Sequence, residues 1–119
     1  MTETNKLHNH NSDTKTALKL IPADSEAIKA CDLFQQLGDP TRLKILCLLA
    51  HSEQCVNNIA FVVNMSAPAV SHHLRVLRQT GLITNRRDGK EIYYKLAEDK
   101  KASLVHKIID DVFGLNCCV

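Results

Sequence analysis

No run of apolar residues in this sequence approaches the roughly 20 that a membrane-spanning helix needs. The N-terminal stretch also lacks the apolar segment of a secretion signal, so nothing argues for export. There is no internal repeat and no low-complexity tract. A Gly-rich phosphate loop and a nucleophile elbow are both absent, and no cysteine and histidine have a structural reason to meet. The expectation is therefore a protein that is not an enzyme. A disulfide framework is missing too: the five cysteines are an odd number, and two of them, Cys117 and Cys118, are adjacent. That usage fits the reducing cytoplasm.

What is present suffices for one small domain. The 119 residues are 45% apolar, enough for one modest core, although a domain of this size buries only roughly two-thirds of its unfolded surface. A shared apolar face between two copies would help it. The net charge of +2 is unevenly spread: from Ser66 to Lys95 six basic residues face two acids, a local +4 that leaves −2 for the rest. One basic segment on an otherwise near-neutral chain is the electrostatic footprint of a nucleic-acid binder.

Residues 1–20 are polar and aperiodic and read as a flexible arm, with residues 21–119 as the folded domain. Asp24-Ser25 opens a helix in which Ile28, Cys31, Phe34 and Leu37 recur along one side up to Gly38. Asp39 is a good N-cap with Pro40 at the first helical position. The helix that follows, with Leu43, Ile45, Leu46, Cys47, Leu48 and Leu49, is apolar nearly all round and hence central. Ser52 to Gln54 reads as a connection and Val56 to Val63 as a short helix. After Asn64-Met65, Ser66 caps a helix that stops at Gly81. Residues 82–84 and 91–96 read as strands joined by residues 85–90, where Asp88-Gly89 is a hairpin signal. A last helix covers roughly 98–115, with Val105, Ile108, Val112 and Leu115 as an apolar stripe. The predicted class is mostly α with a β-hairpin wing, in the order helix-helix-helix-helix-hairpin-helix.

Two short helices with a tight turn, the second N-capped and basic, form a helix-turn-helix pattern. In the second, Val70, Leu74 and Leu77 should face inward. The N-terminal part of such a helix enters the groove most deeply, which places Ser66, Ala67, Ala69, Ser71 and His72 near bases. Arg75 would reach a base or a phosphate and Arg78 the backbone, while Arg86, Arg87 and Lys90 would lay the hairpin tip on flanking phosphates or the minor groove. The partner is then double-stranded operator DNA, with no membrane partner. The rival of another class is a winged-helix protein–protein interaction module, because a fold does not dictate its partner.

From Cys31 to about Phe113 the chain resembles the ArsR/SmtB-type bacterial repressors. The motifs that carry this are Leu37-Gly38-Asp39-Pro40-Thr41-Arg42-Leu43-Lys44-Ile45-Leu46, Ser66-Ala67-Pro68-Ala69-Val70-Ser71-His72-His73-Leu74-Arg75-Val76-Leu77, Gly81-Leu82-Ile83, and Arg87-Asp88-Gly89-Lys90-Glu91-Ile92-Tyr93-Tyr94-Lys95-Leu96. The resemblance implies a winged helix-turn-helix fold and a homodimer zipped by the first and last helices. It also implies repression relieved by an inducer.

The resemblance leaves the inducer open. Thiolate sensors of the family carry Cys-Val-Cys-Asp where this chain has Cys55-Val56-Asn57-Asn58; Cys55 with His8 and His10 from the arm would give a His₂Cys set for Zn²⁺ or a similar ion. At the family's zinc site across the dimer, the matching positions hold Glu98, Lys100, Asp111 and Gly114, and a lysine ammonium repels a cation. His106 and Asp110, one turn apart, read as an i,i+4 hydrogen bond. A sulfide- and redox-responsive branch has a sensing cysteine at the position of Cys47, which would here couple to Cys117 or Cys118; this is the favoured reading. Cys31 with Cys117 and Cys118 would instead offer three thiolates to a thiophilic metal or a metalloid such as arsenite.

Overall fold

The computed structural model describes residues 11–114. The element order is α1 (Asn11–Leu18), α2 (Asp24–Leu37), α3 (Pro40–His51), β1 (Gln54–Cys55), α4 (Val56–Val63), α5 (Ala67–Gln79), β2 (Ile83–Asp88), β3 (Glu91–Leu96) and α6 (Lys100–Phe113). Two compact units divide after Cys31. In the first, α1 forms where the sequence reads as an arm. Asp13 sits in its first turn and Lys15 in its last, each placed well for the helix dipole. None of this unit's described side chains is buried.

In the second unit, Asp39 opens α3: its Oδ2 accepts from the backbone N–H of Arg42 at 2.9 Å, with Pro40 at the first helical position. Ile45, Leu46 and Leu49 of α3 are at most 3% exposed, and Leu43, Cys47, Leu48 and Ala50 pack around them. Against this helix lie Ile59 and Ala60 of α4, Val70, Leu74 and Leu77 of α5, Ile83 and Leu96 of the sheet, and Val105 and Ile109 of α6. The inward stripe expected for α5 is thus observed.

Three differences from the sequence reading have physical causes. The sheet has three strands in the order β1-β3-β2, because the free edge of β3 takes Gln54 and Cys55 opposite Tyr94 and Tyr93. A two-residue strand has no period to read. The hairpin is also longer than expected: Asn85, Arg86 and Arg87 pair with Tyr94, Tyr93 and Ile92, leaving a two-residue turn with Gly89 at φ 67. Both faces of that ribbon are partly in solvent, so its polar residues mask the alternation. In α6, finally, Val105 does not belong to an outer stripe. Ala102, Val105 and Ile109 face the chain's own core, while Leu104 and Val112 are 50% and 68% exposed and Ile108 is half-buried. Leu115, the last member of the predicted stripe, lies outside the described residues.

The backbone N–H of Arg42 holds the Asp39 carboxyl below its ordinary pKa, helped by the charge of Arg42. A lowered folded-state pKa contributes stability above the unfolded value that is lost as pH falls through the folded one. Asp39→Ala should cost about 1 kcal/mol at neutral pH. That deficit should shrink below about pH 4, where the unfolded carboxyl begins to protonate. Urea unfolding of both proteins at pH 7 and pH 3 reads this directly; a deficit independent of pH would show that the cap carries no charge-dependent stability.

Candidate nucleic-acid interface and sensing sites

The turn between α4 and α5 is closed locally. Asn64 takes the left-handed conformation (φ 58, ψ 52), its own N–H and that of Met65 bonding back into the last turn of α4. Ser66 then caps α5, Oγ accepting from the N–H of Ala69 at 3.2 Å. With Val70, Leu74 and Leu77 buried, the opposite face is left to solvent: Ser66, Pro68, His72, Arg75 and Arg78 are exposed, and Ala67, Ala69 and Ser71 are half-buried. A shallow groove between α5 and the wing is lined by Ser71, Arg75, Arg78, Gln79 and Tyr94. His73 turns the other way, Nδ1 lying 3.5 Å from Arg42 Nη1.

The wing cations differ in their surroundings. Arg87 and Lys90 are exposed, and their side chains make no hydrogen bond or ion pair among the described residues. Arg86, predicted to meet phosphate, is also paired within the chain. Its Nε and Nη2 donate to the two carboxylate oxygens of Glu53 at 2.8 and 2.9 Å, and its guanidinium sits 5.0 Å from the Tyr93 ring centre. The hydrogen bond from Arg86 holds the Glu53 carboxyl below its usual pKa. Arg86 braces the wing against the segment before β1; its placement follows from the register that puts it opposite Tyr93.

The predicted sensing residues are scattered. His8, His10, Cys117 and Cys118 lie outside the described residues. Cys31 is exposed on α2. Cys55 is 7% exposed, lies in β1 and stands at the N-cap position of α4 without a side-chain cap bond. Its thiol is core material, because β1 pairs with β3 and turns it inward. Of the positions matching the family's zinc site, Glu98 pairs with Lys95 at 3.1 Å and Asp111 with Lys107 at 3.1 Å.

Cys47 is half-buried on α3, and burial first, then the charge of Asp110, pushes its thiol pKa up. One turn later, His51 meets α6: Nε2 is 2.9 Å from Asp110 Oδ1, while Nδ1 is 2.9 Å from the carbonyl oxygen of Cys47. His106 Nε2 lies 3.3 Å from Asp110 Oδ2 but does not make the hydrogen bond expected there; the shorter approach to the carboxylate is that of His51. The sequence reading missed His51; the available signal was an i,i+4 pair on each of two helices, Cys47/His51 and His106/Asp110. Among the described residues, His51, His106 and Asp110 bring one ligand-type atom each within 4.8 Å of one another.

A capped second helix with a basic outer face, followed by a two-stranded wing with free cations at its tip, defines a winged helix-turn-helix regulator. The family model described as "Bacterial regulatory protein, arsR family" matches residues 39–85. The chain is 38% identical over 85 residues to the transcriptional repressor SmtB homolog of Synechocystis sp., covering 71% of this chain and 64% of that one. To the HTH-type transcriptional regulator KmtR of Mycobacterium tuberculosis it is 40% identical over 91 residues, covering 76% and 68%. The homodimeric winged helix-turn-helix DNA-binding domain Mb0332 from Mycobacterium bovis superposes with a TM-score of 0.66 at 30% identity, covering 78% of this chain and 88% of that one. This chain belongs to the ArsR family of transcriptional repressors. No described helix is long and apolar enough to cross a membrane.

A raised thiol pKa has a direct chemical consequence, because the thiolate is the nucleophile. Alkylation of Cys47 at pH 7 should be slower than that of a free cysteine, with its rate rising only at more alkaline pH. Asp110→Asn should move that profile toward lower pH. Peptide-resolved mass spectrometry after timed iodoacetamide treatment measures both; a Cys47 that reacts faster than free cysteine at neutral pH would restore thiolate sensing.

Proposed function

We propose that the chain is a cytoplasmic, non-catalytic, homodimeric repressor whose α5 reads the major groove of an operator. The observation that carries this reading is the outward face of α5 (Ser66, Ala67, Ala69, Ser71, His72, Arg75 and Arg78) standing beside a wing tip with unpaired Arg87 and Lys90. Serine and histidine near the helix start suit base edges, and the arginines further along suit guanine or phosphate. Arg86 supports the wing and contributes little to the phosphate footprint. Leu104, Ile108 and Val112 on α6 supply an apolar seam for a second copy, and the Mycobacterium bovis relative is homodimeric.

Release is proposed to act where α3 meets α6, the contact that joins the core to that seam. Sulfur chemistry at Cys47, coupled to Cys117 or Cys118, is supported by the position of Cys47 and opposed by its raised pKa. Cys55 with His8 and His10 is disfavoured by the burial of Cys55. Cys31 with Cys117 and Cys118 keeps an exposed Cys31 in its favour.

Ser71→Ala and His72→Ala should each weaken operator binding by about 1–3 kcal/mol, with non-specific DNA affinity and thermal stability unchanged. Fluorescence anisotropy on operator and scrambled duplexes separates these effects, and the same titration gives two protomers per operator. Unchanged operator affinity in the double variant would remove α5 from the groove.

A further inference from the structure

We propose that His51, His106 and Asp110 form a binding site for a divalent transition-metal ion, of the Zn²⁺ type, within a single protomer between the end of α3 and the middle of α6. The three side chains come from two helices of the same compact unit, and one ligand atom from each lies within 4.8 Å of the others. Ligands held at about 2.0–2.2 Å around a tetrahedral ion are roughly 3.4 Å apart. Two of the three separations, at 2.9 and 3.3 Å, already match that spacing. The two imidazoles stand perpendicular with centres 5.2 Å apart, a separation that small ring rotations close onto one ion.

The hydrogen bonding explains why an ion fits better than a proton. His51 Nδ1 faces the carbonyl oxygen of Cys47 and must donate to it. In a neutral ring this leaves the Nε2 lone pair aimed at a carboxylate oxygen 2.9 Å away, two acceptors opposed. His106 Nε2 is itself buried and makes no hydrogen bond, despite its 3.3 Å approach to the same carboxylate. A hydrogen bond from His51 Nε2 to Asp110 Oδ1 would still leave His106 Nε2 without a partner. A cation between the three groups satisfies both imidazoles and the carboxylate together, with the Cys47 carbonyl fixing the His51 tautomer in the way second-shell partners of metal-bound histidines do. The side chains of His51, His106 and Asp110 are 24%, 31% and 24% exposed, which gives an ion a route in and leaves a fourth position to solvent.

The site is distinct from the positions Glu98, Lys100, Asp111 and Gly114, two of whose acids are already paired with lysines. Its regulatory consequence rests on the repressor reading above. A bound ion would clamp α6 to α3, and α6 also carries Leu104 and Val112, the proposed dimer seam. Fixing that helix changes the spacing of the two α5 helices, so metal binding lowers operator affinity to the extent that the clamped form fits the operator less well.

The test uses the full-length, reduced, metal-free chain titrated with Zn²⁺ against a chromophoric chelator. It should bind one ion per protomer, and His51→Gln, His106→Gln and Asp110→Asn should each weaken binding by about tenfold or more. The double change His8→Gln/His10→Gln should leave it intact. Long-range ¹H–¹⁵N spectra of the native chain, which need no variant to fold, should show the Nε2 resonances of His51 and His106 shifting on Zn²⁺ addition. Operator affinity should fall with Zn²⁺ in the native chain and stay constant in His106→Gln. Full Zn²⁺ affinity in the three variants, or unmoved Nε2 resonances, overturns the site; an operator affinity indifferent to bound Zn²⁺ overturns the clamp. Failure of the metal-free native chain to bind any operator would instead overturn the repressor reading and leave the metal site standing.

Discussion

Every other element of the second unit takes its position from the burial of α3. A helix that is apolar on almost all sides cannot stand at a surface, and Ile45, Leu46 and Leu49 are each removed from water. Full burial of one such side chain stabilises by roughly 1.5–3 kcal/mol, so three of them outweigh any polar contact on the molecule's surface. The cost is that α3 needs cover from several directions. The α4–α5 pair, β3 and α6 supply it, each packing one apolar stripe on α3 and turning its other face to solvent.

That arrangement decides which faces point outward. Because Val70, Leu74 and Leu77 are held inward, Ser71, His72, Arg75 and Arg78 have no freedom to turn away from a ligand on the outside. Because Ala102, Val105 and Ile109 are held inward, Leu104 and Val112 are left for a partner. The seam between α3 and α6 lies beneath both. His51, His106 and Asp110 occupy its rim.

Much of this was legible in the sequence because it is periodic or capped. The α5 stripe repeats at helical spacing, Asp39 and Ser66 are good N-caps, and each was read correctly from its neighbours. What escaped depends on tertiary partners. The strand character of Gln54 and Cys55 exists only because β3 offers a free edge. The commitment of Arg86 to Glu53 needs residues 33 positions apart to meet. Val105 and Val112 are both apolar on one helix, and which of them faces the core is settled by how α6 packs against the rest of the unit. The His51–Asp110 approach, 59 positions apart, belongs to the same class.

The central claim is that this is a nucleic-acid-binding surface with a defined set of free cations. The slope of log affinity against log salt for operator DNA tests it most directly. Arg75, Arg78, Arg87 and Lys90 are exposed and make no ion pair among the described residues. Four contacts from each protomer of a dimer would give a slope of about −7. Arg87→Ala in both protomers should flatten that slope by about two units, whereas Arg86→Ala, whose charge is already spent on Glu53, should leave it nearly unchanged. A shallow slope in the native protein, or an equal loss from the two arginine variants, would contradict the account.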